Sequence, residues 1–116
     1  MKTLHQVLCL VAVYMPETVR GHADFEAAAN YVMKGPSLQA SNKDKLNAYA
    51  LYKQATVGDC PSEPELLEHV NAFIMVKRKA MRDAWCNIKG TPKDEAKTKY
   101  VELIDQVNKY WRTVSL

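Results

Sequence analysis

The sequence predicts an all-α fold, a bundle of four helices, and three observations lead there. Its 116 residues are rich in helix formers (Ala, Leu, Lys, Glu, Gln, Met) and hold only four glycines. Apolar residues recur at helical spacing over four separate stretches. Glycine and proline punctuate every boundary between those stretches. Amphipathic helices joined by short connectors bury their apolar faces against one another, and a binding site then lies between helices or over an open face.

The first helix is expected over about Ala23–Lys34, where Phe25, Ala28, Ala29 and Val32 fall at i, i+3, i+4 and i+7. Gly35-Pro36 ends it, because glycine suits the position after a helix and proline cannot continue the ladder. The second begins near Ser41, a good N-cap, with Asp44 three residues on approximating a capping box. Leu46, Tyr49, Ala50, Leu51 and Tyr52 supply its apolar and aromatic positions, and Gly58 closes it. Asp59–Pro64 reads as a loop, since it holds two prolines.

From Glu65 to Lys89 the pattern is helical but less regular. Leu66, Leu67, Val70, Phe73 and Ile74 precede the basic cluster Lys77-Arg78-Lys79, and Ala80, Ala84, Trp85 and Ile88 follow it. Gly90 stops this segment. Thr91-Pro92-Lys93-Asp94 is the clearest start signal in the chain, with a threonine cap, proline at the first helical position and an acid in the first turn. The last helix is expected to reach about Arg112, with Ala96, Tyr100, Leu103, Val107 and Tyr110 on one face.

A chain of this length makes one domain with one modest core. A net charge of +3 suits an anionic partner, yet falls short of the clustered basicity of a dedicated nucleic-acid binder. Cys9, Cys60 and Cys86 show no C-x-x-C spacing, and an odd count does not describe a closed disulfide framework. Cys60 reads as an incidental loop thiol and Cys86 as a buried or half-buried one. His5, His22 and His69 form no ligand spacing with them, so no metal site is expected.

Met1–Gly21 has the layout of a secretory signal peptide: Lys2, an apolar Val7–Met15 run, then Pro16 ahead of a possible cut after Gly21. The alternatives are an extension packing as a short helix on the domain, or a start codon placed too far upstream. The apolar run is too short to span a bilayer as a helix. Cleavage would remove Cys9 and leave Cys60 and Cys86.

The run Tyr49-Ala50-Leu51-Tyr52-Lys53-Gln54-Ala55-Thr56-Val57-Gly58-Asp59 closely resembles the acyl-CoA-binding protein family, for which YKQATVGD is a marker. Asp83-Ala84-Trp85 with Lys89-Gly90 is similar to that family's DAW…LKG block. Pro92–Ala96 through Tyr100-Val101 matches its last helix, and Phe25–Ala28 its first. The resemblance covers roughly Ala23–Tyr110. It implies a four-helix bundle of that type over residues 22–116, after an extension at 1–21 and with a longer loop or extra helical turn before the third helix. It also implies a monomeric carrier of medium- to long-chain acyl-CoA, with no cofactor, nucleic-acid partner or stable membrane span.

The chemistry of such a ligand accounts for the residue types. Phosphates need cations and amide or hydroxyl donors. Adenine needs a flat aromatic surface. An acyl chain needs an apolar groove, at about 0.8 kcal/mol per buried methylene. Tyr49, Tyr52 and Lys53 would present aromatic surface and a cation within one helical turn.

By resemblance, Tyr49 and Lys53 contact the adenine and 3′-phosphate end, Tyr100 also meets the nucleotide, Lys77 matches a lysine opening the third helix, and Leu46 lines the acyl groove. Two departures stand out. The family's lysine before its KWDAW tryptophan falls at Met81, with Arg82 at that tryptophan, and Met33 replaces a residue that is often basic. One 3′-phosphate cation is therefore missing, for which Lys77 or Arg78 could substitute from one turn away. The rival expectation is a helical protein-interaction module with a weakened ligand site. No triad, acid–base carboxylate pair or glycine-rich phosphate loop supports catalysis. The expected compartment is the cytoplasm, or the secretory pathway if Met1–Gly21 is a cleaved signal.

Overall fold

The computed structural model describes residues 17–36, 39–62 and 71–114, with side chains from residue 23 onward. Four helices carry the described chain: α1 (Glu17–Lys34), α2 (Asn42–Thr56), α3 (Ala72–Cys86) and α4 (Lys93–Val107). A short 3₁₀ turn, Trp111–Thr113, follows them. The all-α, four-helix expectation holds, with no strand among the described residues.

Local chemistry sets the ends. Ser41 caps α2 through its hydroxyl, which accepts from the Asp44 N–H at 3.1 Å. Asn71 caps α3 in the same way, its Oδ1 accepting from the Ile74 N–H at 2.9 Å. Gly58 leaves α2 at φ +105°, a left-handed conformation that favours glycine, while its N–H still donates to the Lys53 carbonyl.

The order of the helices in space follows from their contacts. The Trp85 indole N–H near the end of α3 donates to the Gly58 carbonyl just past the end of α2, so α2 and α3 run parallel. Gln54 near the end of α2 donates to the Thr91 carbonyl just before α4, so α4 runs antiparallel to α2. Phe25 meets Tyr100, and Tyr31 farther along α1 meets Asn108, so α1 and α4 run the same way. The result is an up–down–down–up bundle. α2 packs on both α3 and α4, and α4 packs on α1.

Two buried clusters sit between these helices. The larger gathers Phe25, Ala28, Ala29 and Tyr31 of α1, Ala48 and Ala55 of α2, and Ala96, Tyr100, Val101 and Ile104 of α4, with Trp111. The many alanines let the helix axes approach closely, while Ile104, fully buried, fills the middle. The smaller cluster is Ala50, Cys60 and Trp85, with Tyr49 packed against it.

Several sequence-based expectations are corrected. α1 begins at Glu17 rather than Ala23, so helical backbone runs through Gly21. The expected Glu65–Lys89 segment is not one continuous helix. Asn71 takes extended backbone (φ −75°, ψ 166°) and its cap starts α3 at Ala72. Residues 63–70, including Leu66, Leu67 and Val70, lie outside the described residues. α4 starts at Lys93 after a Pro92 cap, one residue later than expected, and the Thr91 carbonyl serves Gln54 instead.

The last helix ends at Val107, not Arg112. Asn108 leaves it at φ −150°, ψ 96°, donates to the Tyr31 hydroxyl and accepts from the Tyr110 N–H. That break rotates the frame, so Tyr110 is exposed and Trp111 is buried against Tyr31 in its place. The Trp111 indole N–H is satisfied by Asp105 at 2.7 Å.

The cysteine reading is also overturned. Cys60 and Cys86 are not free thiols but form a disulfide, with Cα atoms 5.2 Å apart. The parallel run of α2 and α3 brings the loop after one beside the last residue of the other. Spacing along the chain could not show this pairing.

Candidate ligand-binding face

Leu46, Tyr49 and Lys53 stand at i, i+3 and i+7 on α2, and all three are half-buried. Trp85 fixes what they face. The Lys53 ammonium lies 5.7 Å from the centre of the Trp85 ring, within cation–π range, and Tyr49 packs beside the same cluster. Met81, four residues before Trp85, shares its face of α3 and is half-buried, and Lys77 precedes Met81 by four more. Lys53 and Tyr49 thus meet Trp85 across the parallel pair, while Leu46 on α2 and Met81 and Lys77 on α3 continue the two stripes by helical spacing.

Tyr52 and Tyr100 belong to a neighbouring aromatic group. Phe25 lies 6.0 Å from Tyr52 and 5.2 Å from Tyr100 between ring centres, and the two tyrosines are 6.2 Å apart. Tyr52 is half-buried, whereas Tyr100 is 3% exposed and sits in the core. Burial, with the nearby Tyr52, pushes the Tyr100 hydroxyl up to about 12. Lys97 caps this group, its ammonium 5.9 Å from the centre of the Phe25 ring. Met33 is exposed on α1, beside the half-buried Val32.

The cations divide by what they already touch. Arg82 donates to the Pro61 carbonyl and to Cys86 Sγ, which commits its guanidinium to the loop after α2. Lys79 pairs with Asp83 at 2.9 Å. Lys77 and Arg78 are exposed and make no ion pair with a described residue. Both residues expected to substitute for a cation at position 81 are therefore without an ion-pair partner among the described residues.

Sequence reasoning missed how much of the YKQATVGD run holds the bundle together. Gln54, buried, donates from Nε2 to both Asp59 Oδ1 and the Thr91 carbonyl at 2.8 Å. Asp59 Oδ1 also accepts from the Gly90 N–H at 2.8 Å. These bonds, that from Gly90 first and that from Gln54 next, hold the Asp59 carboxyl below its usual range, with Lys89 adding a little. Gly58, Asp59 and Gly90 thereby lock the turns after α2 and α3 to the start of α4. The paired glycines at 58 and 90 were the available signal. From sequence alone each is simply a helix stop.

A groove of about 360 Å³ opens elsewhere, between α2 and α4, lined by Asn47, Leu51, Leu103 and Gln106 with Ile88 at one end. It lies roughly 120° around α2 from the Leu46–Tyr49–Lys53 stripe at 100° per residue. None of the sequence-predicted site residues lines it. Its cation, Lys99, is paired with Glu95 at 3.1 Å, so the groove is poorly furnished for a polyanion.

Four helices in up–down–down–up order, with an aromatic and cationic seam between the parallel pair, define a bundle suited to holding an anionic ligand that carries a flat ring. A family profile described as "Acyl CoA binding protein" matches residues 22–104. An acyl-CoA-binding protein of Dictyostelium discoideum is 44% identical over 84 residues, 72% of this chain and 90% of its own length. The solution structure of an acyl-CoA-binding protein from Babesia bovis T2Bo superimposes with a TM-score of 0.61 at 40% identity, covering 78% of this chain and 96% of that one. The enoyl-CoA delta isomerase 2 of Rattus norvegicus is 40% identical over 86 residues, but the match spans 20% of that protein. The chain belongs to the acyl-CoA-binding protein family.

Proposed function

We propose that this chain binds and carries medium- to long-chain fatty acyl-CoA as a monomer, without catalysis. The observation that carries the reading is the contact of Lys53 and Tyr49 on α2 with Trp85 on α3, in a member of this family, with Met81 and Lys77 one and two turns before Trp85 on its face of α3 by helical spacing. Tyr49 offers a half-buried ring for adenine, and Lys53 and Lys77 offer cations for phosphates. Leu46 and Met81 supply apolar surface for the acyl chain. Tyr52 and Tyr100, in the neighbouring aromatic group, and the exposed Met33 of α1 are the remaining positions that the resemblance assigns to the ligand. Titration with palmitoyl-CoA by calorimetry tests the reading. One saturable site at micromolar ligand is expected, and its absence would turn the assignment toward a helical interaction module.

The compartment is a second matter, and one observation bears on it. Disulfides persist in oxidising compartments and are rare in the cytosol. The Cys60–Cys86 bridge therefore favours the secretory alternative, in keeping with the signal-like layout of Met1–Gly21, over the cytoplasm. N-terminal sequencing of the native protein, with thiol counting before and after reduction, distinguishes the two. A start at Met1 together with two free thiols at 60 and 86 would return the protein to the cytoplasm.

A further inference from the structure

α3 is held to the bundle mainly at one end. It packs on α2, and neither α1 nor α4 makes comparable contact with it. Trp85 is its one buried residue, whereas α2 and α4 bury four each. Over residues 72–79 only Ile74 is half-buried, and the rest are exposed. At the other end three bonds converge on the turn after α2. Cys86 is bridged to Cys60, the Trp85 indole N–H donates to the Gly58 carbonyl at 2.8 Å, and Arg82 donates to the Pro61 carbonyl. The buried residues there are Ala50, Cys60 and Trp85, with Tyr49 packed against them. The bridge therefore lies in the same small cluster that sets Trp85 against Lys53.

We infer that the Cys60–Cys86 bridge is a redox-controlled clamp on this seam, resting on the acyl-CoA reading: the bridged chain holds acyl-CoA, and a dithiol reductant releases it. A helix with one buried side chain has a low local stability, so the covalent link carries much of its attachment. Opening the link frees α3 to move off α2, which parts Trp85 from Lys53 and Tyr49 and takes Met81 and Lys77 with it.

The bridge is also open to exchange. Cys86 is half-buried, and Arg82 Nη1 stands 3.4 Å from its Sγ, a cation that draws an incoming thiolate. The reductant's first thiolate bonds to Cys86 Sγ as the bond between the two cysteine sulfurs breaks. The electron pair leaves on Cys60, which takes up a proton. The second thiolate then attacks the reductant's own sulfur in the mixed disulfide and expels Cys86 as a thiolate beside Arg82. In all, the dithiol gives up two electrons and two protons and ends as a disulfide. Linkage makes the effect reciprocal: if reduction weakens ligand binding about tenfold, bound ligand makes reduction about tenfold harder. For this two-electron couple that is about 30 mV.

The test uses the full chain and hexadecyl-CoA, a thioether that thiols do not cleave. Calorimetric titration compares the oxidised protein, the protein reduced with dithiothreitol, and the Cys60→Ser, Cys86→Ser double variant. Helical circular dichroism is recorded on each sample, below the thermal midpoint of the unbridged forms. The reduced protein and the double variant should stay helical and bind about tenfold more weakly than the oxidised protein. Dithiothreitol should not weaken the double variant further. A redox titration should place the potential of the bridge about 30 mV lower when hexadecyl-CoA is saturating. Equal affinity in the oxidised and reduced states, or an unshifted potential, would overturn the clamp and leave acyl-CoA binding intact. Loss of helix on reduction would also overturn it, by making the bridge a requirement for folding. No binding by the oxidised protein would overturn the acyl-CoA reading itself, and the clamp with it.

Discussion

The ammonium of Lys53 lies 5.7 Å from the centre of the Trp85 ring, and this joins the one cation of the YKQATVGD run to the parallel helix beside it. The contact holds the charge at the seam while leaving it half-buried and able to meet an anion. Lys53→Ala keeps a good helix former at the position and removes only the cation. A charge-assisted hydrogen bond contributes about 1.5–3 kcal/mol, so acyl-CoA affinity should fall roughly 10- to 100-fold. Calorimetric titration reads that loss. The thermal midpoint should move little, since a cation–π contact contributes about 0.5–1 kcal/mol at such a site.

Met81 gives the converse experiment. It shares a face of α3 with Lys77 and Trp85, where the family pattern places a lysine. Met81→Lys should tighten acyl-CoA binding about tenfold by adding one charge-assisted contact. The affinity for 3′-dephospho-acyl-CoA should stay almost unchanged. Equal gains for both ligands would place the new charge away from the 3′-phosphate, and no gain for either would mean that Lys77 or Arg78 already serves it.

The Cys60–Cys86 bridge closes a loop with a sequence separation of 26, and chain-entropy arguments give it about 3.5 kcal/mol of stability. Replacing both cysteines by serine should lower the thermal midpoint on the order of 10–20 °C. Differential scanning calorimetry checks this. Reduction of the wild type should reproduce the shift.

Tyr100 sets an alkaline limit. Burial raises its hydroxyl from 10 to about 12 in the folded protein, so the neutral form is favoured by folding. Its contribution to stability is full below pH 10 and is lost as the pH rises toward 12. Tyr100→Phe should remove that component of alkaline unfolding, visible as a flatter stability–pH curve above pH 10. Phenolate absorbance should show one fewer late-titrating tyrosine.

The four helices were legible because their signals are local. The Ser41 cap, Gly35-Pro36, Gly58 and Gly90 each act through neighbours in sequence. The Tyr49–Lys53 stripe was legible for the same reason, since helical spacing alone puts those residues on one face. What escaped reading depends on distant partners. The end of α4 turns on the bond between Asn108 and Tyr31, 77 positions apart, which exchanges Tyr110 for Trp111 in the core. The roles of Gln54 and Asp59 depend on Gly90 and Thr91, two turns of chain that no periodicity brings together. The disulfide needed the parallel order of α2 and α3, which pattern and spacing do not encode.

That bridge also changes what a break in the backbone would mean. Residues 60 to 86 form a closed covalent ring, so a protease cutting once between Pro61 and Trp85 would yield two polypeptides and still one molecule. On a non-reducing gel such a nicked chain would migrate near full size, and it would come apart only after reduction. The Lys53 and Trp85 sides of the seam would remain tethered within a few ångströms of each other throughout.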